Sequence, residues 1–220
     1  FVDDITGQPL DPVLCRQARR EELAYFHSKG VWDLRSVQEA WKRTGRPPIT
    51  VRWVEVNKGD DLNPRIRSRL VAREIRKKWE DSIFAPTPPL EALRMLLSIA
   101  ATRNLWPEDV EATASTSSRR LQVSFIDISR AYFNAKTDPR DPIYVELPPE
   151  ANAPPGMCGL LRRHMYGTRR AAEGWQEECS GSLVDMGFVQ GAASPCVFVH
   201  SPRQIIVSVH GDDFTAAGPK

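Results

Sequence analysis

The chain has 220 residues, 41% of them hydrophobic and 26% charged, with a net charge of +2. That length allows one sizeable core or two small ones. The near-neutral charge excludes a polycation, so any nucleic-acid surface has to come from local clustering of basic residues. No apolar run approaches the roughly 18 residues that span a bilayer, and no signal peptide is visible, so no membrane partner is expected. Four cysteines, Cys15, Cys158, Cys179 and Cys196, form no CxxC pair. They read as buried or incidental thiols in a reducing, intracellular compartment. Cys196 and His200 have the spacing of half a zinc site but lack a second pair. Both chain ends, Phe1 and Lys220, read as cut.

In chain order, Asp11-Pro12 is a helix start, with Leu14, Ala18, Leu23, Tyr25 and Phe26 as its apolar face and Gly30 as its stop. Ser36 and Glu39 form a capping box for a short helix ending near Gly45. Residues 49–57 and 64–72 read as a hairpin around a polar turn. In its second strand Ile66, Ser68, Leu70 and Ala72 share one face, and Arg65, Arg67 and Arg69 the other. Residues 65–78 hold seven basic residues against one acidic. Such a face is either solvated, protecting an edge, or a cradle for phosphates through arginine's forked donors.

After Thr87-Pro88-Pro89 a helix carries Leu90, Leu93, Leu97 and Ala100 on one stripe, expected as core. Residues 106–120 are polar and read as a surface insert. Residues 121–128 read as a strand with Val123, Phe125 and Asp127 on one apolar face. A carboxylate there is costly unless paired or bound to metal. Residues 143–147 read as a short strand, and residues 160–165 lead into Tyr166-Gly167. A helix then carries Ala172, Trp175, Cys179, Leu183 and Met186, and Gly187 stops it. Arg169 and Arg170 at its start oppose the macrodipole, so an anionic partner is expected. Residues 194–200 read as a strand running into a final hairpin, residues 205–218.

That hairpin, IIVSVHGDDFTAAG, holds Asp212 and Asp213 at its tip, with Gly211 supplying turn freedom. Asp-Asp pairs are cheap turn formers, and Asp3-Asp4 and Asp60-Asp61 are expected to be solvated turns. Only the third pair sits in an apolar hairpin, which makes Asp127 a candidate partner for binding two divalent metals.

The segments RSRLVARE, FIDISRAYFNAKTDPRDPIYVELPPE, LLRRHMYGTRRAAEGW, MGFVQGAASPCVFVH and VSVHGDDFTAAG stand in the order and spacing of a family. Together they resemble the reverse transcriptase domain of copia-type retrotransposons, over residues 50–218, with residues 11–50 similar to its lead-in. The resemblance implies an α+β right-hand polymerase: fingers, then a palm of antiparallel strands backed by helices, truncated before the thumb. On that pattern residues 1–48 are a helical lead-in, 49–120 a fingers-like region and 121–220 the palm. Asp127, Asp212 and Asp213 fall on the catalytic carboxylates, and Ile128 on a residue lending a backbone carbonyl to metal. Tyr132 falls on the gate against ribose 2′-hydroxyls. Lys58, Arg65, Arg67 and Arg69 lie in the hairpin that holds the incoming triphosphate, and Tyr166 and Gly167 beside the nascent base pair.

The implied cofactors are two Mg2+ ions, with Mn2+ as an alternative. The implied partners are an RNA or DNA template with its primer, deoxynucleoside triphosphates, and the thumb and RNase H parts of a Pol polyprotein. The implied location is cytoplasmic, in a virus-like particle, or nuclear. The chain departs from the family pattern in having His210 for tyrosine, Gly211 between it and the aspartates, Arg170 for glutamine and Ala172 for proline. Its 106–120 insert is long, and with thumb and RNase H missing the fragment alone is expected to be inactive.

One rival is a catalytically dead nucleic-acid-binding remnant, which would bind without metal dependence. An RNA-templated RNA polymerase shares the Gly-Asp-Asp hairpin but carries aspartate where Tyr132 stands. A purely structural protein leaves the three carboxylates unexplained.

Overall fold

The computed structural model describes residues 1–75, 86–102 and 121–219. Its elements in order are α1 (Pro12–Lys29), β1 (Trp32–Ser36), α2 (Val37–Thr44), β2 (Val51–Asn57), β3 (Ile66–Ala72), α3 (Leu90–Ala101) and β4 (Gln122–Asp127). There follow β5 (Tyr144–Val145), β6 (Met157–Leu161), α4 (Ala171–Asp185), β7 (Val189–Gln190), β8 (Val197–His200), β9 (Ile205–His210) and β10 (Asp213–Gly218). Every named strand pair is antiparallel, so the mixed α+β class holds. The chain forms two compact units, Phe1–Ile83 with Tyr132–Gly174, and Phe84–Ala131 with Trp175–Lys220. None of the described helices is long and apolar enough to cross a membrane.

In the first unit, Asp11 caps α1 through the N–H groups of Val13 and Leu14, and Gly30 closes it in the left-handed conformation. Ser36 accepts the N–H of Glu39 at 3.1 Å to start α2. Both helix starts follow the expected capping chemistry. The hairpin β2–β3 also forms, in register from Val51↔Ala72 to Asn57↔Ile66. Ser68, Leu70 and Ala72 are buried and Arg67 exposed, as alternation requires. Phe26, Phe133, Leu70, Leu161 and Met165 form the centre of this unit's core, with the Phe26 and Phe133 rings 4.6 Å apart.

Several details differ from expectation. Strand β1, WDLRS, is not among the expected elements: its alternation of Trp32 and Leu34 with Asp33 and Arg35 is too short to stand out, and its ladder comes from pairing with β6, Trp32 opposite Leu161. Strand β5 shrinks to two residues, and β6 begins earlier than the apolar run at 160 suggests. The α1 face includes Glu22, 1% exposed, whose carboxylate meets Arg69 at 2.9 Å. Arg169 and Arg170 precede α4 rather than lying within it. Both meet acids: Glu74 accepts the Arg169 backbone N–H at 2.8 Å, and Asp141 lies 3.4 Å from Arg170.

In the second unit a five-stranded sheet has the order β4-β10-β9-β8-β7. Helix α3 packs on it through Ala92 and Leu96 against Val197, Ile206 and Ala217. The expected Leu90–Leu97 stripe is therefore corrected: Leu90 and Leu97 are exposed, because the sheet meets the adjacent face of the helix. All four cysteines are free and buried, and burial pushes the Cys179 thiol up to about 11, so it stays protonated. The 106–120 insert lies outside the described residues.

Asp60 does form an open turn, accepting the N–H groups of Leu62 and Asn63. Asp3-Asp4 does not. Asp3 is buried and accepts N–H groups from Asn57 (2.7 Å), Thr6 and Ile5 (both 2.8 Å), while Asp4 accepts that of Glu55 at 2.7 Å. These bonds, that from Asn57 foremost, hold the Asp3 carboxyl down at about 2. A depressed carboxyl contributes stability that is complete above its ordinary value of 3.8 and is lost as pH falls through about 2. Asp3→Asn should therefore flatten the acid limb of stability between those two values, measured by denaturant unfolding at each pH. Parallel loss in variant and parent would contradict this.

Candidate active site

The site in the second unit is built on β10. It is a central strand, pairing with β9 on one side and β4 on the other. Both ladders run along the strand before Pro219, to Gly218 on the β4 side and Ala217 on the β9 side. Its first residue, Asp213, stands opposite both Asp127 of β4 and His210 of β9. Directly opposed residues project to the same face of a sheet. Asp127, Asp213 and His210 therefore form one row across three strands.

The β9–β10 turn consists of Gly211 and Asp212. Gly211 has φ 63° and Asp212 is not at positive φ, the pattern of a type II′ hairpin turn. Two bonds fix this tip. The Trp175 indole N–H donates to the Gly211 carbonyl at 2.7 Å. The Ile128 N–H donates to the Asp212 carbonyl at 2.9 Å, tying the end of β4 to the turn.

An open cleft of about 580 Å³ lies over the row, walled by Leu90, Leu93 and Phe125 and floored by Asp127, Asp213 and His210. Asp127 is exposed, and Phe125 on the same face is 73% exposed. The expected buried apolar face of β4 is thus corrected. Among the described residues β4 is an edge strand, and Asp127 there is open to solvent. Asp212, in the turn, is not among the cleft's lining residues.

The donor set suits a hard divalent cation, since it is carboxylate oxygen. Among the described residues no three His, Cys, Asp or Glu side chains are gathered closely enough to hold a metal by themselves. Mg2+ usually takes one or two carboxylates and completes its shell with water and substrate phosphates. Asp127 and Asp213 on one face meet that lesser requirement.

The remaining candidates lie in the first unit. Arg69 sits between Glu22 and the Tyr166 ring, whose centroid is 5.9 Å from its guanidinium carbon. Tyr166 packs edge-on against Tyr132 at 5.0 Å. Gly167, at φ 80°, presses so closely on Ala72 and Val71 that a Cβ would collide with the Ala72 carbonyl. Arg69, Tyr132, Tyr166 and Gly167 thus form one cluster. Lys58 and Arg65 meet at the hairpin end, where the Lys58 N–H donates to the Arg65 carbonyl at 2.9 Å. Both are exposed, as is Arg67.

His210 is the residue that sequence reasoning noticed but did not place. Only the strand register puts it in line with the carboxylates.

A family model described as reverse transcriptase (RNA-dependent DNA polymerase) matches residues 31–220. The chain is also 24% identical over 212 residues to the "Retrovirus-related Pol polyprotein from transposon TNT 1-94" of Nicotiana tabacum. The match covers 92% of this chain and 14% of that relative. The copia-type resemblance read from the spaced motifs is thereby supported, and the chain belongs to the reverse transcriptase family.

Proposed function

We propose that the chain supplies the fingers and palm of an RNA-directed DNA polymerase within a longer retrotransposon Pol polyprotein. Residues 1–48 are then the lead-in, 49–120 the fingers-like region and 121–220 the palm. The observation that carries this reading is the pairing of Asp127 with Asp213 on adjacent strands, beside a turn tied down by Trp175 and Ile128. It is supported by the family to which the chain belongs.

In this reading Asp127, Asp212 and Asp213 hold two divalent cations, Mg2+ or Mn2+, and Ile128 lends a backbone carbonyl. Bound there, the cations would lower the pKa of a primer 3′-hydroxyl and stabilise departing pyrophosphate. The chain's own residues position the reactants. Arg65, Arg67 and Lys58, exposed at the hairpin end, contact the phosphates of an incoming deoxynucleoside triphosphate. Arg69, anchored by Glu22, holds Tyr166 over its guanidinium and so orients the Tyr166-Gly167 loop beside the nascent base pair. Tyr132, braced by Tyr166, excludes a ribose 2′-hydroxyl by bulk. The partners are an RNA or DNA template with its primer and the remaining parts of the polyprotein; the place of action is cytoplasmic or nuclear.

A second reading, a nucleic-acid-binding remnant without catalysis, draws on one observation: Asp212 lies apart from the cleft that Asp127 and Asp213 line.

The two readings separate in primer extension on an RNA template, with the chain in its polyprotein context. Asp127→Asn and Asp212→Asn should each remove incorporation while leaving template affinity unchanged, since several kcal/mol of charge stabilisation go with the metal. Normal extension by Asp212→Asn would refute its assignment. Template binding without metal-dependent incorporation by the parent would favour the remnant.

Tyr132→Val should admit ribonucleotides while incorporation of deoxynucleotides continues, read as the ratio of kcat/KM for the two substrates. An unchanged ratio would remove Tyr132 from the gate.

A further inference from the structure

The first unit contains a second concave feature, chemically unlike the carboxylate cleft. It has a volume of about 380 Å³ and is lined by the cations Lys29, Arg43, Lys136, Arg162 and Arg163, against a single acid, Asp138. Leu160, Leu161 and two prolines supply apolar walls, which focus the field of charges set among them.

These cations are not equally neutralised. Arg162 is paired with Asp33 at 2.7 Å, and Arg43 has Glu39 at 4.0 Å. Arg163 has no carboxylate partner among the described residues. Its guanidinium donates instead to three backbone carbonyls, those of Lys29 (3.0 Å), Asn134 (3.1 Å) and Phe133 (3.3 Å). Carbonyl dipoles fix the group in place without cancelling its charge. Lys29 donates to the neutral side-chain oxygen of Asn134 at 3.3 Å. Lys136 pairs through its backbone with Arg163 and carries no side-chain ion pair among the described residues. Asp138 is turned to its own neighbour, accepting both the backbone N–H and the Nε–H of Arg140. Three cations thus converge on one concavity with no carboxylate partner among the described residues: Lys29, 5.8 Å from the Tyr25 ring centroid, Lys136, and Arg163, which is rigidly preorganised. Such an arrangement destabilises the protein by mutual repulsion unless an anion relieves it.

We propose that this cleft binds phosphate groups, carried either by a single-stranded nucleic acid or by a free nucleotide. The two lysines offer movable donors to phosphate oxygens, and Arg163, whose Nε and Nη1 are held by carbonyls, adds a fixed positive charge and its remaining Nη2 donors. The site lies in a different unit from Asp127, Asp212 and Asp213 and stands or falls separately from the polymerase reading.

The test uses the 220-residue chain without divalent metal and a 5′-labelled single-stranded oligouridine followed by fluorescence anisotropy across salt concentrations, with ATP as competitor. Lys136→Ala should lower the slope of log affinity against log salt by about 0.7, one single-strand phosphate contact, and Lys29→Ala with Lys136→Ala by about twice that. Lys136→Arg should retain parental binding. Arg162→Ala, whose charge Asp33 already meets, should change the slope less than Lys136→Ala does. Circular dichroism and melting confirm that each variant is folded. If a strand is the source, affinity rises with oligomer length and ATP competes only weakly; if a nucleotide is the source, ATP displaces the probe and length has no effect. Folded Lys29→Ala/Lys136→Ala protein with unchanged affinity and slope for both probes would overturn the proposal.

Discussion

The second unit depends on β10 being a central strand. A terminal hairpin alone would be marginal, because two strands in water bury too little to stay paired. Bonded on one side to β9 and on the other to β4, β10 becomes the axis of a five-stranded sheet. Its register decides which side chains can meet. A slip of one residue would turn Asp213 to the opposite face and break the row with Asp127 and His210. Register at the tip is held by the short turn, by the indole of Trp175 on the Gly211 carbonyl, and by the Ile128 N–H on the Asp212 carbonyl. The row of Asp127, Asp213 and His210 thus rests on backbone hydrogen bonds before any side chain acts.

The first unit is organised by buried acids. Glu22 and Glu55 are nearly fully buried, and each is met by arginine: Arg69 at 2.9 Å for Glu22, Arg19 at 2.8 Å for Glu55. Arg19 bridges on to Glu150 at 2.7 Å, and Glu150 accepts the Trp53 indole N–H. A buried pair of this kind adds little net stability, but removing one partner strands the other and costs about 3–5 kcal/mol. The consequence is positional. Helix α1 is locked to the β2–β3 hairpin, and through Arg69 to the Tyr166–Tyr132 stack.

Much of this was legible in the sequence where the signal is local. Asp11, Ser36, Gly30 and Gly45 mark helix ends because capping uses only neighbouring residues. The β2–β3 and β9–β10 hairpins follow from turn residues between β-branched runs. What failed is non-local. Strand β1 draws its ladder from β6, more than a hundred residues further along, and the buried face of α3 is set by where the sheet lies. Asp3-Asp4 looks like any acidic turn until the N–H groups of β2 are brought to it. At the site, the spaced motifs picked out Asp127 and the Asp pair. The sequence could not tell which of the pair faces Asp127, because that depends on a turn type set by one φ angle at Gly211.

The central claim is that Asp127 and Asp213 act together because β4 and β10 are in register. The most direct measurement is a Mn2+ titration of the 220-residue chain, followed by paramagnetic broadening of assigned backbone amides. The account predicts broadening centred on Asp127, Ile128 and Asp213, with Asp127→Asn and Asp213→Asn each weakening it and the double variant adding little more. Broadening spread evenly over the acidic surface, or unaffected by either substitution, would contradict it.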